Sequence, residues 1–169
     1  MVSQINSTMK VKLKTIEATL VYIFKDDKCL MLHRIKKKGD IHKNKWNGLG
    51  GKLESGESPE ECAVREIEEE SGLKLNTLNF AGHLFFPEFD KNKNDWSVFV
   101  FTSNNFEGEV MKNPPEGELH WIPKEELLNL NLWEGDKYFL PMVLSGTTFL
   151  GKFKYKDGRL SDYNLNSYD

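Results

Sequence analysis

The 169-residue sequence has only two cysteines, Cys29 and Cys62, and neither lies at the spacing of a structural metal site. Cys29 falls in an apolar run and Cys62 in a helical pattern, so both read as buried, reduced thiols rather than as a disulfide framework. No apolar run is long enough to span a bilayer. Near the N-terminus, Lys and Glu interrupt the chain before a secretory apolar core develops, which makes a cytoplasmic location the expectation. Charge of one sign is also scarce: 23 basic against 26 acidic residues leave a net charge of −3. That balance argues against a nucleic-acid polymer or a membrane surface as partner, while small phosphorylated ligands bridged by a metal stay compatible with it. Internal repeats and linkers are absent. What remains, 38% hydrophobic residues with 12% aromatics, suits one globular domain able to bury its own core.

Taken in order, residues 1–12 are polar and are expected to form a flexible N-terminal segment, with Met9 as an alternative start, ahead of a single domain over 13–169. Thr15 to Phe24 and Lys28 to His33 read as strands of a hairpin across Asp26-Asp27. A basic loop follows from Ile35 to Gly39. Leu49 to Leu53 is expected to be a short strand, Leu75 to Phe86 and Asp95 to Ser103 longer ones, and Leu119 to Ile122 another short one. Pro123 should open a helix, Asp136 to Leu144 a second, and Phe149 to Tyr155 should pair with Arg159 to Leu165 across Lys156-Asp157-Gly158. This order predicts an α+β fold with a mixed sheet.

The balanced net charge hides a local concentration of acid between Gly51 and Leu73, GKLESGESPEECAVREIEEESGL. Ser58 is a good N-cap, Pro59 suits the first helical position, and Glu61 stands where a capping box wants an acid. Gly72 ends the helix as a left-handed cap. Between them Glu66, Glu69 and Glu70 project from one face, a turn apart, where like charges repel. A hard divalent cation, Mg²⁺ or Mn²⁺, turns that cost into a binding site. An arbitrary acidic helix face is more often simply solvated. Here a Gly48-Leu49-Gly50-Gly51 run stands just before it, where backbone can approach a ligand closely, and Arg65 has Glu69 one turn on for a bidentate pair.

Gly51, Glu57, Arg65-Glu66-Ile67, Glu69-Glu70 and Gly72-Leu73 resemble the Nudix box, with every fixed position filled at its spacing. From about Thr15 onward the chain is similar to the MutT-type purine nucleoside triphosphatases of that superfamily, through Lys36 to Gly39, Trp46 to Lys52, Trp133 with Asp136, and Gly151-Lys152-Phe153. The resemblance implies an α/β/α sandwich with the acidic helix after a glycine-rich loop. It also implies hydrolysis of an oxidised purine nucleoside triphosphate such as 8-oxo-dGTP to the monophosphate and pyrophosphate, in nucleotide-pool sanitisation linked to DNA repair.

Within that reading Glu66, Glu69 and Glu70 are metal ligands, with the Gly50 carbonyl implied as a fourth. Glu116 is the expected carboxylate from outside the helix, with Glu118 as the alternative. Glu69 and Glu116 are the candidates for general base, Arg65 orients Glu69, and Glu57 braces the loop. Lys36 faces the phosphates. Asn47 offers mixed donors and acceptors to a purine edge, Trp133 a stacking face, and Asp136, if protonated in a dry pocket, a hydrogen bond to an oxidised guanine. Phe86 and Trp96 line the same pocket. At Gly135 the chain departs from the pattern, because a second acidic base-reading residue is expected there. Two other readings stay open: the same metal chemistry on ADP-ribose, a dinucleotide or an unmodified triphosphate, or a nucleotide sensor without turnover. The expected partner is a small nucleotide, and the expected state a monomer or weak dimer.

Overall fold

The computed structural model describes residues 14–168; the segment 1–12 and Met9 lie outside the described residues. At its centre is β1 (Thr15–Lys25), which pairs in parallel with β6 (Asp95–Ser103) from Thr15 opposite Asp95 to Ile23 opposite Ser103. β5 (Asn79–Phe86) runs antiparallel to β6, and β9 (Thr148–Lys156) lies parallel to β5. β10 (Arg159–Tyr168) closes that side as an edge strand. On the other side β2 (Lys28–His33) turns back from β1 and pairs with β3 (Trp46–Asn47) and β8 (Glu118–Pro123). The sheet is therefore mixed, and the α+β class read from the sequence is the observed one.

Both faces of β1 are covered, which is why its sequence reads as an apolar run rather than an alternation. Val21 and Ile23 point to one side and pack with Ala63, Ile67 and Leu73 of the α1 (Pro59–Ser71) region. Ala18 and Tyr22 point to the other and pack with Phe139, Leu140 and Val143 of α2 (Asp136–Ser145) and with Phe149 and Phe153 of β9. Two apolar clusters thus stand on opposite faces of one sheet, each sealed by one helix. No helix among the described residues is long and apolar enough to cross a membrane.

Three elements differ from their sequence reading. Leu49 to Leu53 makes only the isolated bridges Val21–Leu49 and Ala18–Lys52, because Gly50 adopts φ 148° and breaks the extended run. The strand expected from Leu75 to Phe86 divides into β4 (Lys74–Leu75) and β5, and β4 pairs with β7 (Phe106–Glu107), a strand that the sequence reading did not expect. Pro123 ends β8 in an extended conformation, and a six-residue 3-10 helix, Lys124–Asn129, follows in place of an α-helix. Its start is uncapped, since Pro123 has no polar side chain and no side-chain hydrogen bond is made there.

The start of α1 has the capping box that its sequence announces. The Ser58 hydroxyl accepts from the Glu61 N–H at 3.1 Å, and the Glu61 carboxylate accepts from the Ser58 N–H at 3.4 Å. Gly72 ends the helix at φ 81° and donates to the Glu68 carbonyl. Replacing Ser58 with Ala removes one partner of the Glu61 N–H, so the Ser58→Ala protein should lose about 1 kcal/mol of stability, read from the midpoint of urea unfolding.

Candidate active site

The acidic helix is anchored through Arg65. Its Nε and Nη2 donate to the two oxygens of Glu57 at 2.7 and 2.9 Å, and Nη2 also reaches the Lys52 carbonyl at 3.1 Å. Nη1 donates to Glu66 at 2.8 Å and to Glu69 at 3.2 Å. The bidentate pair expected with Glu69 is thus made with Glu57, whose carboxyl this fork holds down at about 2. Glu57 lies in the loop before α1, so the pair ties loop and helix together, and Arg65 still touches both helix acids.

Gly51 makes room for Glu66: a Cβ there would fall on the Glu66 carboxylate. Burial raises the Glu66 carboxyl above its usual range despite the Arg65 bond, and Glu69 and Glu116 add to the rise. Glu70 accepts the Gly50 N–H at 3.1 Å, yet burial, reinforced by Glu116 and Glu66, pushes its carboxyl up to about 8. On either side of Gly50, the Leu49 and Gly51 carbonyls accept from Val21 and Thr19 of β1, while the Gly50 N–H goes to Glu70 and a Cβ at Gly50 would fall on the Thr19 carbonyl. Glu116, from the segment before β8, accepts from Arg34 at 3.0 Å, while Arg34 Nε pairs with Asp40 at 2.6 Å. Arg34 was not legible as a site residue, since it is one of several cations between His33 and Lys38.

Two arginines therefore serve Glu57 and Asp40 first, and Glu66, Glu69, Glu70 and Glu116 share what positive charge is left. Among the described residues no three His, Cys, Asp or Glu side chains are gathered closely enough to hold a metal ion as they stand. Each of the four instead turns to its nearest donor, Arg65, Arg34 or the Gly50 N–H. The donor set is nonetheless all oxygen, negatively charged beyond its compensation and partly desolvated, and it fits a hard divalent cation.

A second group of residues gathers around Trp133. Its indole N–H donates to His42 Nδ1 at 2.7 Å, and burial lowers His42 to about 4, which keeps the ring neutral as an acceptor. Phe89 packs against Phe86, Trp133 and Tyr155 at ring separations of 5.2, 5.4 and 5.6 Å. Asp90 holds that loop by accepting from the Asn94 N–H and the Trp96 indole, each at 3.0 Å. Asp136, the first residue of α2, has its carboxyl raised to about 7 by burial, against a lowering by Lys45. The structure thus brings Phe86, Trp96, Trp133 and Asp136 into one region and adds His42, Phe89 and Tyr155, which sequence reasoning missed. Aromatic residues carry no periodic signal that separates a pocket from a core.

The two regions are joined by one short segment. At one end Lys45 donates to the Leu132 carbonyl at 3.2 Å and lies over the Trp133 ring, 5.6 Å from its centre. In the middle Trp46 donates its N–H to the Asn131 carbonyl at 3.0 Å, and Asn47 pairs with Leu32. At the other end Gly50 and Gly51 meet Glu70 and Glu66. Lys36 stands apart, with its amine on the Pro114 carbonyl at 2.9 Å and its N–H on the Glu116 carbonyl at 3.4 Å.

A mixed sheet between two helices, with a braced acidic helix leaving a glycine loop, defines the class: an α+β protein whose site offers carboxylate oxygens to a divalent cation. Residues 14–143 match the NUDIX domain. The chain is 34% identical to the oxidized purine nucleoside triphosphate hydrolase of Mus musculus over 89% of its own length and 94% of that protein. It is 35% identical to the protein of the same description from Danio rerio, over 82% and 85%. Among solved structures, the MutT protein of Bacillus halodurans superposes with a TM-score of 0.79 at 33% identity, over 89% of this chain and 97% of that one. The chain belongs to the Nudix hydrolase family, whose members generally use divalent metal cations and act on small nucleotide substrates.

The state of Asp136 has a measurable sign. In the unfolded chain it loses its proton near 3.8, whereas in the folded protein it keeps it to about 7. The folded state binds more protons in that window, so this group's contribution to stability falls as pH rises through it. An Asp136→Asn variant lacks the fall. Its stability relative to wild type should increase from about pH 4 to pH 7 and then level off, as followed by urea unfolding across that range.

Proposed function

We propose that the chain hydrolyses oxidised purine nucleoside triphosphates, with 8-oxo-dGTP as the representative, to the monophosphate and pyrophosphate, and that Mg²⁺ is its working cation. The observation that carries this reading is the segment Lys45 to Gly51. It joins the Trp133–Asp136 region at one end to the Glu66–Glu70 face at the other, so base recognition and phosphate chemistry share one short stretch of backbone. The descriptions of the mouse and zebrafish relatives point the same way.

Glu66, Glu69, Glu70 and Glu116, with the Gly50 carbonyl, would hold the cation. When bound, it supplies neutralisation of polyphosphate charge and a lower pKa for a nearby water. Glu69 is the most exposed of the three helix acids and has a single 3.2 Å contact, so it is the one freest to accept a proton from that water. Glu116 is more committed, through Arg34. Arg65 holds Glu66 and Glu69 from the loop side, and Glu57 fixes Arg65. Lys36, beside Glu116, brings cationic charge for the phosphates. Asn47 and Asp136 read the base edge, Trp133 stacks on it, and Phe86 packs behind. Residues 13–169 act as one domain, as a monomer or weak dimer.

Activity should vanish with a chelator and return with Mg²⁺ or Mn²⁺, and the melting temperature should rise with the cation, because binding to the folded state stabilises it. Undiminished turnover in excess chelator would sink the metal assignment. A panel of 8-oxo-dGTP, dGTP, dCTP and ADP-ribose, scored by kcat/KM, tests the substrate; a preference for ADP-ribose would replace this reading with the other diphosphate chemistry. Glu69→Gln should lower kcat by about 10²–10⁴-fold with the fold retained by circular dichroism.

A further inference from the structure

Gly135 has helical dihedrals, φ −67° and ψ −28°, so its backbone does not require glycine. Space does. A Cβ at this position would lie 2.7 Å from the Tyr155 hydroxyl oxygen and 2.7 Å from Phe153 Cδ1. The hydroxyl fills that place and accepts the Gly135 N–H at 2.7 Å. The missing side chain and the tyrosine are thus one feature: the glycine admits the hydroxyl, and the hydroxyl satisfies the glycine's amide. Tyr155 reaches this point from β9, with its ring 5.2 Å from Trp133 at an interplanar angle of 81°. Asp136, the next residue after Gly135, is near enough to perturb the phenol electrostatically.

The hydroxyl has accepted a hydrogen bond on one side and keeps its own proton to give. Among the described residues, no acceptor takes that proton. Burial, with Asp136 second, raises the Tyr155 phenol, so it stays neutral and remains a donor. An ionised carboxylate only accepts, whereas a phenol donates. A hydroxyl beside Asp136 therefore stays a donor throughout, next to a carboxyl that gives up its proton at about 7 and accepts above it.

We infer that Tyr155 is a specificity-determining residue: its hydroxyl donates to the 6-oxo group of a guanine-type base while Asp136 accepts from the adjacent ring N–H. This rests on the purine reading of the Trp133–Asp136 region. It also accounts for Gly135, where the resemblance leads one to expect a second acid: the position is given up to a neutral donor supplied from another strand. The pair favours a base that presents an acceptor at position 6.

The test compares wild type with Tyr155→Phe on three Mg²⁺-loaded substrates: 8-oxo-dGTP, the triphosphate of 2-aminopurine deoxyriboside, which lacks the 6-oxygen, and dCTP. The expected result is a loss of about tenfold in kcat/KM on 8-oxo-dGTP, with less than twofold change on the other two. The variant also leaves the Gly135 N–H without its acceptor, so melting temperature is recorded alongside. A structural role alone would lower all three substrates together, and that result overturns the inference, as does no loss on any of them. Wild-type protein serves as a second measurement even if the variant folds poorly. Equal use of dGTP and the 2-aminopurine triphosphate would exclude a donor at position 6. Failure of the purine reading itself looks different: wild type would turn over dCTP as well as 8-oxo-dGTP, whatever the variant does.

Discussion

The bidentate pair between Arg65 and Glu57 is the contact on which the acidic site depends. Carboxylates at adjacent turns of one helix repel, and without a cation between helix and loop nothing would keep loop and acids in register. A guanidinium is suited to the task because its planar fork satisfies Glu57 with two nitrogens and still presents a third to Glu66 and Glu69. A lysine amine at position 65 could not do both. Arg34 repeats the arrangement on the far side, where it joins Asp40 and Glu116. Each arginine therefore links two stretches of chain that are separate in sequence, and each leaves the acids around it only partly neutralised.

Apolar packing sets the direction in which that residual charge points, and the ion pairs then brace it. α1 presents Ala63 and Ile67 to Val21 and Ile23 of β1, which directs Glu66 and Glu70 toward the loop containing Gly50 and Gly51. The opposite face of the same strand seats α2, and with it Asp136, under Phe149 and Phe153. A strand covered on both sides thus positions both halves of the site. Burial then does in each half what water would prevent. It lifts Glu70 and Asp136 well above the usual carboxylate range, and it turns His42 into a neutral acceptor for the Trp133 indole.

Much of this was legible in the chain. The limits of α1 follow from Ser58, Pro59, Glu61 and Gly72, because caps act over three or four residues and leave a local signature. The acids at 66, 69 and 70 share a face by helical period alone. The parallel pairing of β1 with β6 was not legible, nor was the tie between β4 and β7, since strands far apart in sequence carry no mark of which neighbour they will choose. The short extended reading of Leu49 to Leu53 failed at Gly50, where the close passage of Thr19 decides the backbone.

By itself the sequence determined the helix, its acid spacing and its family, because each is a matter of residue type at short separation. Only the tertiary structure decided who neutralises whom. Arg65 turns to Glu57 before Glu69, Arg34 reaches Glu116 across 82 positions, and Tyr155 meets Gly135 across 20. The physical reason is that ion pairs, desolvation and steric exclusion depend on distance in space. A chain specifies that distance only once its apolar faces have packed.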